Sequence, residues 1–336
     1  MIRVFEPNFG WRECLAVLKQ VVSRRLGPGD KVAEFEAALA KHTGFKHVSC
    51  CNSGTTALML AIWSTGSRSI MVPSYTFSAA ANAARMCGCN VRQREINNLL
   101  VLKSPEPHLI ANTVVFVSHN GEMRGLMDWT SQPDTTVIHD AAQSLDMLTP
   151  RGEALATTSF SVPKLVTTGQ GGAVFTNDDE RAKDIRALLD HGGGKWRSTR
   201  IHEAIGGNFR MMDLAAALGC VQLSRIDSLV EIRKDRYVWY HQYGFPSMPI
   251  RRWTACIRST QAPAVIAALA NKGYEALQPY RPLQESVPYK HLTPDPEAIK
   301  AADELVYLPA HWMLKKRDVQ TICKTILEVD KCASPK

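Results

Sequence analysis

The sequence predicts an α/β protein with a mainly parallel central sheet and helices on both faces. Three observations lead there. Short apolar runs alternate with amphipathic stretches of helical period as far as residue 190. The runs Ile70-Met71-Val72, Val114 to Val117 and Ala173-Val174-Phe175 are apolar throughout, as strands covered on both faces are. Several runs end in a small polar turn that opens a helix, with Asn52-Ser53-Gly54-Thr55 the clearest case.

Taken in order, Trp11 to Leu26 has helical spacing and stops at Gly27-Pro28-Gly29. Asp30 is expected to cap a second helix, ended by Gly44. His47 to Cys51 reads as a strand and leads through the Ser-Gly-Thr turn into the helix from Ala57 to Trp63. Ser69 to Val72 is a buried strand closed by Pro73, followed by Tyr75-Thr76-Phe77 and an Ala-rich helix. Val114 to Ser118 and Thr136 to Ile138 are two more strands, the second running into His139-Asp140. Asp178 to Leu189 is a helix, His191 to Arg200 a glycine-rich basic loop, and Met211 to Ile226 one long amphipathic helix. Another helix covers Ser228 to Tyr240. Beyond Gly244 the elements shorten, with helices at Ala262–Asn271 and Lys316–Val329. A large domain over 1–243 and a small α+β domain over 244–336 are expected.

Composition limits the function classes. The net charge of +8 points to an anionic ligand such as a phosphate or nucleotide. No basic block or zinc-finger spacing indicates nucleic acid. The nine cysteines are irregularly spaced and lack C-x-x-C pairs, which reads as reduced thiols in a cytoplasmic protein with no metal site. No leader peptide and no run of 18 apolar residues is found, so no membrane segment is expected.

Two side chains stand where chemistry is possible. Lys164 lies between a strand-like stretch and the turn Thr168-Gly169-Gln170-Gly171-Gly172. A lysine held in a cleft can lose its proton and attack a carbonyl, although a solitary lysine is as a rule a solvated surface group. Asp140 closes a buried strand, where open α/β sheets bind ligands, or else caps a helix. The Ser53-Gly54-Thr55 turn offers N–H groups and a positive helix end to a phosphate, or is a plain helix cap.

Five pieces lie in sequence order: S-G-T at 53–55, Y-T-F at 75–77, D-A-A-Q at 140–143, S-x-x-x-x-K at 159–164 followed by T-G-x-G-G, and N-F-R-M-x-D-L-x-A-A at 208–217. Together they resemble the sugar aminotransferases of the DegT/DnrJ/EryC1/StrS family, pyridoxal-phosphate enzymes of the aspartate aminotransferase fold (PLP fold type I). The resemblance extends from G-P-G-D-K-V-A-E-F-E at 27–36 to Y-L-P at 307–309. It implies that Lys164 forms a Schiff base with pyridoxal 5'-phosphate and then moves the proton, and that Asp140 pairs with the pyridine nitrogen. Phe77 would stack on the ring, Gln143 would sit near the ring hydroxyl, and Gly54, Thr55 and Ser159 would hold the phosphate. Asn208 would reach the phosphate of a second subunit, which implies a homodimer. Arg210, with Lys195, Arg197 and Arg200 of the basic loop, would anchor the amino donor's carboxylate or a nucleotide diphosphate. The implied reaction moves an amino group from glutamate to a nucleotide-linked keto-sugar. A keto-cyclitol acceptor is the alternative. A non-catalytic regulatory protein on the same fold is a third reading, which the intact Lys164, Asp140 and Ser-Gly-Thr turn oppose.

The chain departs from the family pattern in three places. It is short between Asn90 and Thr113, reads S-H-N-G-E-M-R-G at 118–125, and carries Gln284 where the family often has histidine. These bear on the sugar pocket, to which Gln284 is assigned, more than on the cofactor site.

Overall fold

The computed structural model describes residues 1–106, 111–151, 155–193, 196–245 and 253–333. Two helices, α1 (Trp11–Ser23) and α2 (Asp30–Thr43), precede the first strand. There follow β1 (His47–Cys51), α3 (Gly54–Ser64), β2 (Ser69–Pro73), α4 (Ala79–Met86), β3 (Asn90–Arg94), β4 (Thr113–Val117), α5 (Leu126–Thr130) and β5 (Thr136–Asp140). Next come β6 (Leu155–Ser159), β7 (Gly172–Thr176), α6 (Asp179–Leu189), α7 (Trp196–Thr199), α8 (Asp213–Leu223) and α9 (Ile226–Gln242). The chain ends with β8 (Ala255–Arg258), α10 (Ala262–Asn271), α11 (Pro296–Glu304), β9 (Leu305–Leu308) and α12 (Lys316–Ala333).

Seven strands form one sheet in the order β1-β7-β6-β5-β4-β2-β3. All run parallel except β7, which is antiparallel to both β1 and β6. Its faces are covered by two clusters, one around Leu58, Ile62, Val72 and Val115, the other around Phe35, Leu39, Phe160 and Phe175. Because the six parallel strands point one way, their C-terminal ends share one edge of the sheet. Residues 51–55, 74–77, 118–121, 140–143 and 159–164 therefore converge although they are far apart in sequence. The antiparallel β7 begins at that edge, with Gly172 paired to both Cys51 and Ser159.

A separate apolar cluster unites Tyr237 and Tyr240 of α9 with the two-stranded β8–β9 sheet and helices α10 and α12. It is joined to the large sheet at Asn120, whose backbone is left-handed (φ 49°). The Asn120 side chain accepts from the Thr254 N–H at 2.9 Å and donates to the Thr254 carbonyl at 3.0 Å. An asparagine tolerates that backbone better than most residues and spends its amide on the residue that leads into β8, 134 positions away.

Some expectations change. Asp30 does not cap α2: it is the first helical residue, and Gly29 is the N-cap. The capping carboxylate comes from Asp213, whose Oδ1 accepts from the N–H groups of Gly29 and Val32, each at 2.9 Å. A buried carboxylate there satisfies orphan donors and meets the positive helix end. The predicted helix over Met211–Ile226 is two elements, α8 ending at Leu223 and α9 starting at Ile226. Strands β3 and β8 carry no apolar run long enough to declare them in sequence, whereas β9, the run Leu305-Val306-Tyr307-Leu308, is apolar throughout and went unread as a strand.

Candidate active site

The edge formed by the strand ends faces a cleft of about 410 Å³. Gly54, Thr55, Phe77, Asp140, Gln143, Ser159 and Lys164 all line it, so seven of the expected site residues meet in one place. From the small sheet and the loops before it come Trp253, Tyr280 and Tyr307.

Lys164 sits on a turn in which its N–H donates to the Ser161 carbonyl at 3.0 Å. Its ammonium lies 4.5 Å from the ring centroid of Trp253. Burial lowers its pKa from 10.5 to about 8; the Asp140 charge pulls the other way and the Arg233 guanidinium adds to the fall. At pH 7 about a tenth of such amines are neutral, against fewer than one in a thousand in water. Asp140 is 9% exposed. Burial raises its pKa, while the Ala142 N–H, donated to Oδ1 at 3.0 Å, and the Lys164 charge pull it back. Asp140 ends β5 and starts no helix, so it is not a helix cap.

The opposite wall is the start of α3. Ser53 caps it by accepting from the Thr56 N–H at 3.1 Å. The first-turn N–H groups of Gly54 and Thr55 have no intrahelical acceptor, as at any helix start, and they stand at the cleft. Close packing explains the glycines. A Cβ on Gly54 would come within 2.6 Å of Ser159 Cβ, and one on Gly172 would press on the Ser53 carbonyl. Phe77 is 62% exposed while its neighbour Tyr75 is fully buried. The Y-T-F stretch thus divides into a core ring and a ring left open on the cleft.

The other expected residues stand elsewhere. Asn208 Oδ1 accepts from Arg210 Nε at 2.9 Å, and Arg210 also pairs with Asp190 at 3.1 Å. Neither lines the cleft of its own chain. Arg200 is exposed with a left-handed backbone. Lys195 and the side chain of Arg197 lie outside the described residues. Gln284 sits in a short turn at Leu283–Glu285, with both polar atoms of its amide buried and unpartnered. It is not among the cleft-lining residues.

Sequence reasoning did not find the aromatic wall. Trp253 Nε1 donates to the Pro163 carbonyl at 2.9 Å, fastening the indole to the backbone just before Lys164. Its ring stacks on Phe5 at 4.6 Å and meets Tyr307 edge-on at 5.8 Å. Behind it, buried His119 bonds to the hydroxyls of Tyr280 at 2.8 Å and Tyr307 at 3.1 Å. The unusual S-H-N-G stretch was the available signal, since a buried histidine needs polar partners.

A lysine and a buried carboxylate, a glycine-packed helix start and an aromatic face share one cleft, and their order in the chain matches the motif order in sequence. The model of the DegT/DnrJ/EryC1/StrS aminotransferase family matches residues 12–327. The chain belongs to that family. It is 30% identical to GDP-perosamine synthase of Caulobacter vibrioides over 338 aligned positions, covering 90% of each chain. It is 31% identical to UDP-4-amino-4,6-dideoxy-N-acetyl-beta-L-altrosamine transaminase of Campylobacter jejuni, covering 70% of this chain and 67% of that one. Among solved structures, Helicobacter pylori PseC, an aminotransferase involved in the biosynthesis of pseudoaminic acid, superposes with a TM-score of 0.88 at 23% identity. That match covers 98% of this chain and 99% of PseC. The family is one of aminotransferases, and the fold is that of its sugar aminotransferases.

Proposed function

We propose that this aminotransferase uses pyridoxal 5'-phosphate to move an amino group from glutamate onto a keto-sugar carried on a nucleotide diphosphate. The observation that carries the reading is Lys164, a lysine with its amine pushed toward neutrality, in one cleft with the buried Asp140. The donor set fits the cofactor. A nucleophilic amine suits its aldehyde, a buried anion its ring nitrogen, and the N–H groups of Gly54 and Thr55 with the Ser159 hydroxyl its phosphate. The cofactor supplies the aldehyde and a conjugated ring that accepts an electron pair. Lys164 supplies the amine and moves the proton. Asp140 would keep the ring nitrogen protonated, Phe77 would cover the ring, and Gln143 would meet the ring hydroxyl.

The acceptor reading draws on the names of the relatives, which act on GDP- and UDP-linked sugars, and on the net charge of +8. Lys195, Arg197, Arg200 and Arg210 are the proposed anion anchors, with Gln284 toward the sugar. Arg210 must exchange its Asp190 partner to serve. A homodimer is supported by the outer stripe of α1, where Trp11 and Val22 are 73% and 72% exposed and Leu18 lies between them. In that dimer Asn208 serves the partner's phosphate, in keeping with its place outside its own cleft. Free buried thiols at Cys50, Cys51 and Cys323 suit a cytoplasmic setting.

The test is spectroscopic and chemical. The purified protein should be yellow, glutamate should bleach the band, and a panel of nucleotide-linked keto-sugars should restore it. Lys164→Ala should remove transamination. Full activity in that variant would sink the assignment, and restoration by keto-cyclitols alone would move the acceptor to that class.

A further inference from the structure

Lys164 and Trp253 reach the cleft from different parts of the fold, the lysine from the turn after β6 and the tryptophan from the segment that enters β8. Four contacts fix the tryptophan. Its Nε1 donates to the Pro163 carbonyl at 2.9 Å, which clasps the indole to the residue before the lysine. Its backbone N–H donates to the Asn120 carbonyl at 3.4 Å. Phe5 stacks on the ring at 4.6 Å with the planes 20° apart, and Tyr307 meets it edge-on at 5.8 Å. A ring held in this way cannot turn its face from Lys164, whose Nζ lies 4.5 Å from the ring centroid. An indole face carries partial negative charge and attracts a cation, the more so where water is scarce. Trp253 is buried. Asp140 acts on the amine through space, and no carboxylate among the described residues forms an ion pair with it.

We propose that Trp253 is a positioning residue for Lys164: its indole face is the seat on which the amine rests, protonated, whenever the amine is not bonded to another group. A lysine that moves a proton must hold it for a time, and the seat stabilises the charged form against burial while fixing where the charge stands. The Pro163 clasp keeps the seat and the lysine in register. This role rests on the reading of Lys164 as the amine that moves the proton; the seat itself can be tested without cofactor.

The test reads the Lys164 proton in the cofactor-free, full-length protein. An amine-acylating reagent is applied across a range of pH, and labelling of Lys164 is followed by peptide mass spectrometry. The wild-type midpoint should fall at about 8. Trp253→Leu keeps the site apolar and removes the face, so burial meets less opposition and the midpoint should drop by about one pH unit. The neutral fraction at pH 7 then rises from about a tenth to about a half. Trp253→Phe keeps a weaker face and should drop by less. A role in packing alone predicts the opposite sign, because a gap that admits water relieves burial and moves the midpoint up toward 10.5. Replacing the seven tryptophans by fluorinated analogues keeps the ring's shape and withdraws charge from its face, and serves if the leucine variant folds poorly. The midpoint should then fall stepwise with the number of fluorines, and should not respond to them in Trp253→Phe. The other charges around the amine are retained throughout: Asp140, Asp146 in the turn beyond it, Arg233 and Lys234 on α9, and Glu6 in the N-terminal segment. The neutral groups His311, Tyr280 and Tyr307 are retained as well. A midpoint that rises or stays in Trp253→Leu, or that ignores fluorination, overturns the proposal. Failure of the underlying reading looks different: Lys164 would titrate as described, but added pyridoxal 5'-phosphate would give no Lys164-dependent visible band.

Discussion

Replacing Lys164 by methionine should make the cofactor-free protein more stable at neutral pH. The fall of the Lys164 pKa from 10.5 to about 8 is a measure of what holding a charged amine in the cleft costs. At about 1.4 kcal/mol per pH unit, the folded apoprotein gives up about 3 kcal/mol at pH 7. Methionine has a similar length and no proton to gain, so the variant escapes that cost. The sign can be checked through pH. Below about 8 both states carry the protonated lysine and the cost is complete. Between there and 10.5 the folded state has released its proton and the unfolded state has not, so wild-type stability climbs with pH. The advantage of the variant should therefore shrink to about 1 kcal/mol or less by pH 10. Urea unfolding of both apoproteins at matched concentration, at pH 7 and pH 10, measures the gap. A variant less stable than wild type at pH 7, or a gap that ignores pH, would refute the claim that burial holds this amine near neutrality.

Two more outcomes are expected at the site. Asp140→Ala should retain the fold but lower turnover by about 10²–10³, as loss of a preorganised charge at a reacting ring does; a fall of less than tenfold in steady-state rate would reduce Asp140 to a structural role. Lys164→Ala and Asn208→Asp homodimers should each be nearly inactive. Co-refolded together, they should recover about a quarter of wild-type sites, because one site of each mixed dimer then has both intact groups. No recovery, with mixed dimers confirmed by mass spectrometry, would place Asn208 in its own subunit's site.

Much of the cleft was legible because each of its pieces is local. The Ser53-Gly54-Thr55 turn, Phe77, Asp140, Gln143, Ser159 and Lys164 each stand at or just beyond the end of a strand, and parallel strands bring their ends to one edge. Reading which short runs are strands is thus almost enough to gather those residues. The sequence misled where chemistry had a plausible local partner. Asp30 has the identity and place of a helix cap, yet the cap is supplied by Asp213, over 180 positions away. A sequence window sees the nearest carboxylate; a folded chain uses the best-placed one. The break between α8 and α9 at Ser224-Arg225 was hidden in the same way, because the residues on both sides suit a helix.

The sequence by itself determined the strand and helix alternation, the lysine and carboxylate at strand ends, and the family to which their order belongs. Periodicity and turn chemistry act over a few residues, so they can be read without coordinates. Only the tertiary structure decided that β7 runs against its neighbours, bringing Gly172 to the mouth of the cleft. It also decided that Trp253 lies against Lys164, and that His119 joins Tyr280 to Tyr307 behind Gln143. With the Trp253–Pro163 hydrogen bond that fastens the indole, these contacts reach across as many as 188 positions. They depend on how the small sheet docks over the large one, and that docking comes from the summed burial of many side chains, with no local signature in the chain.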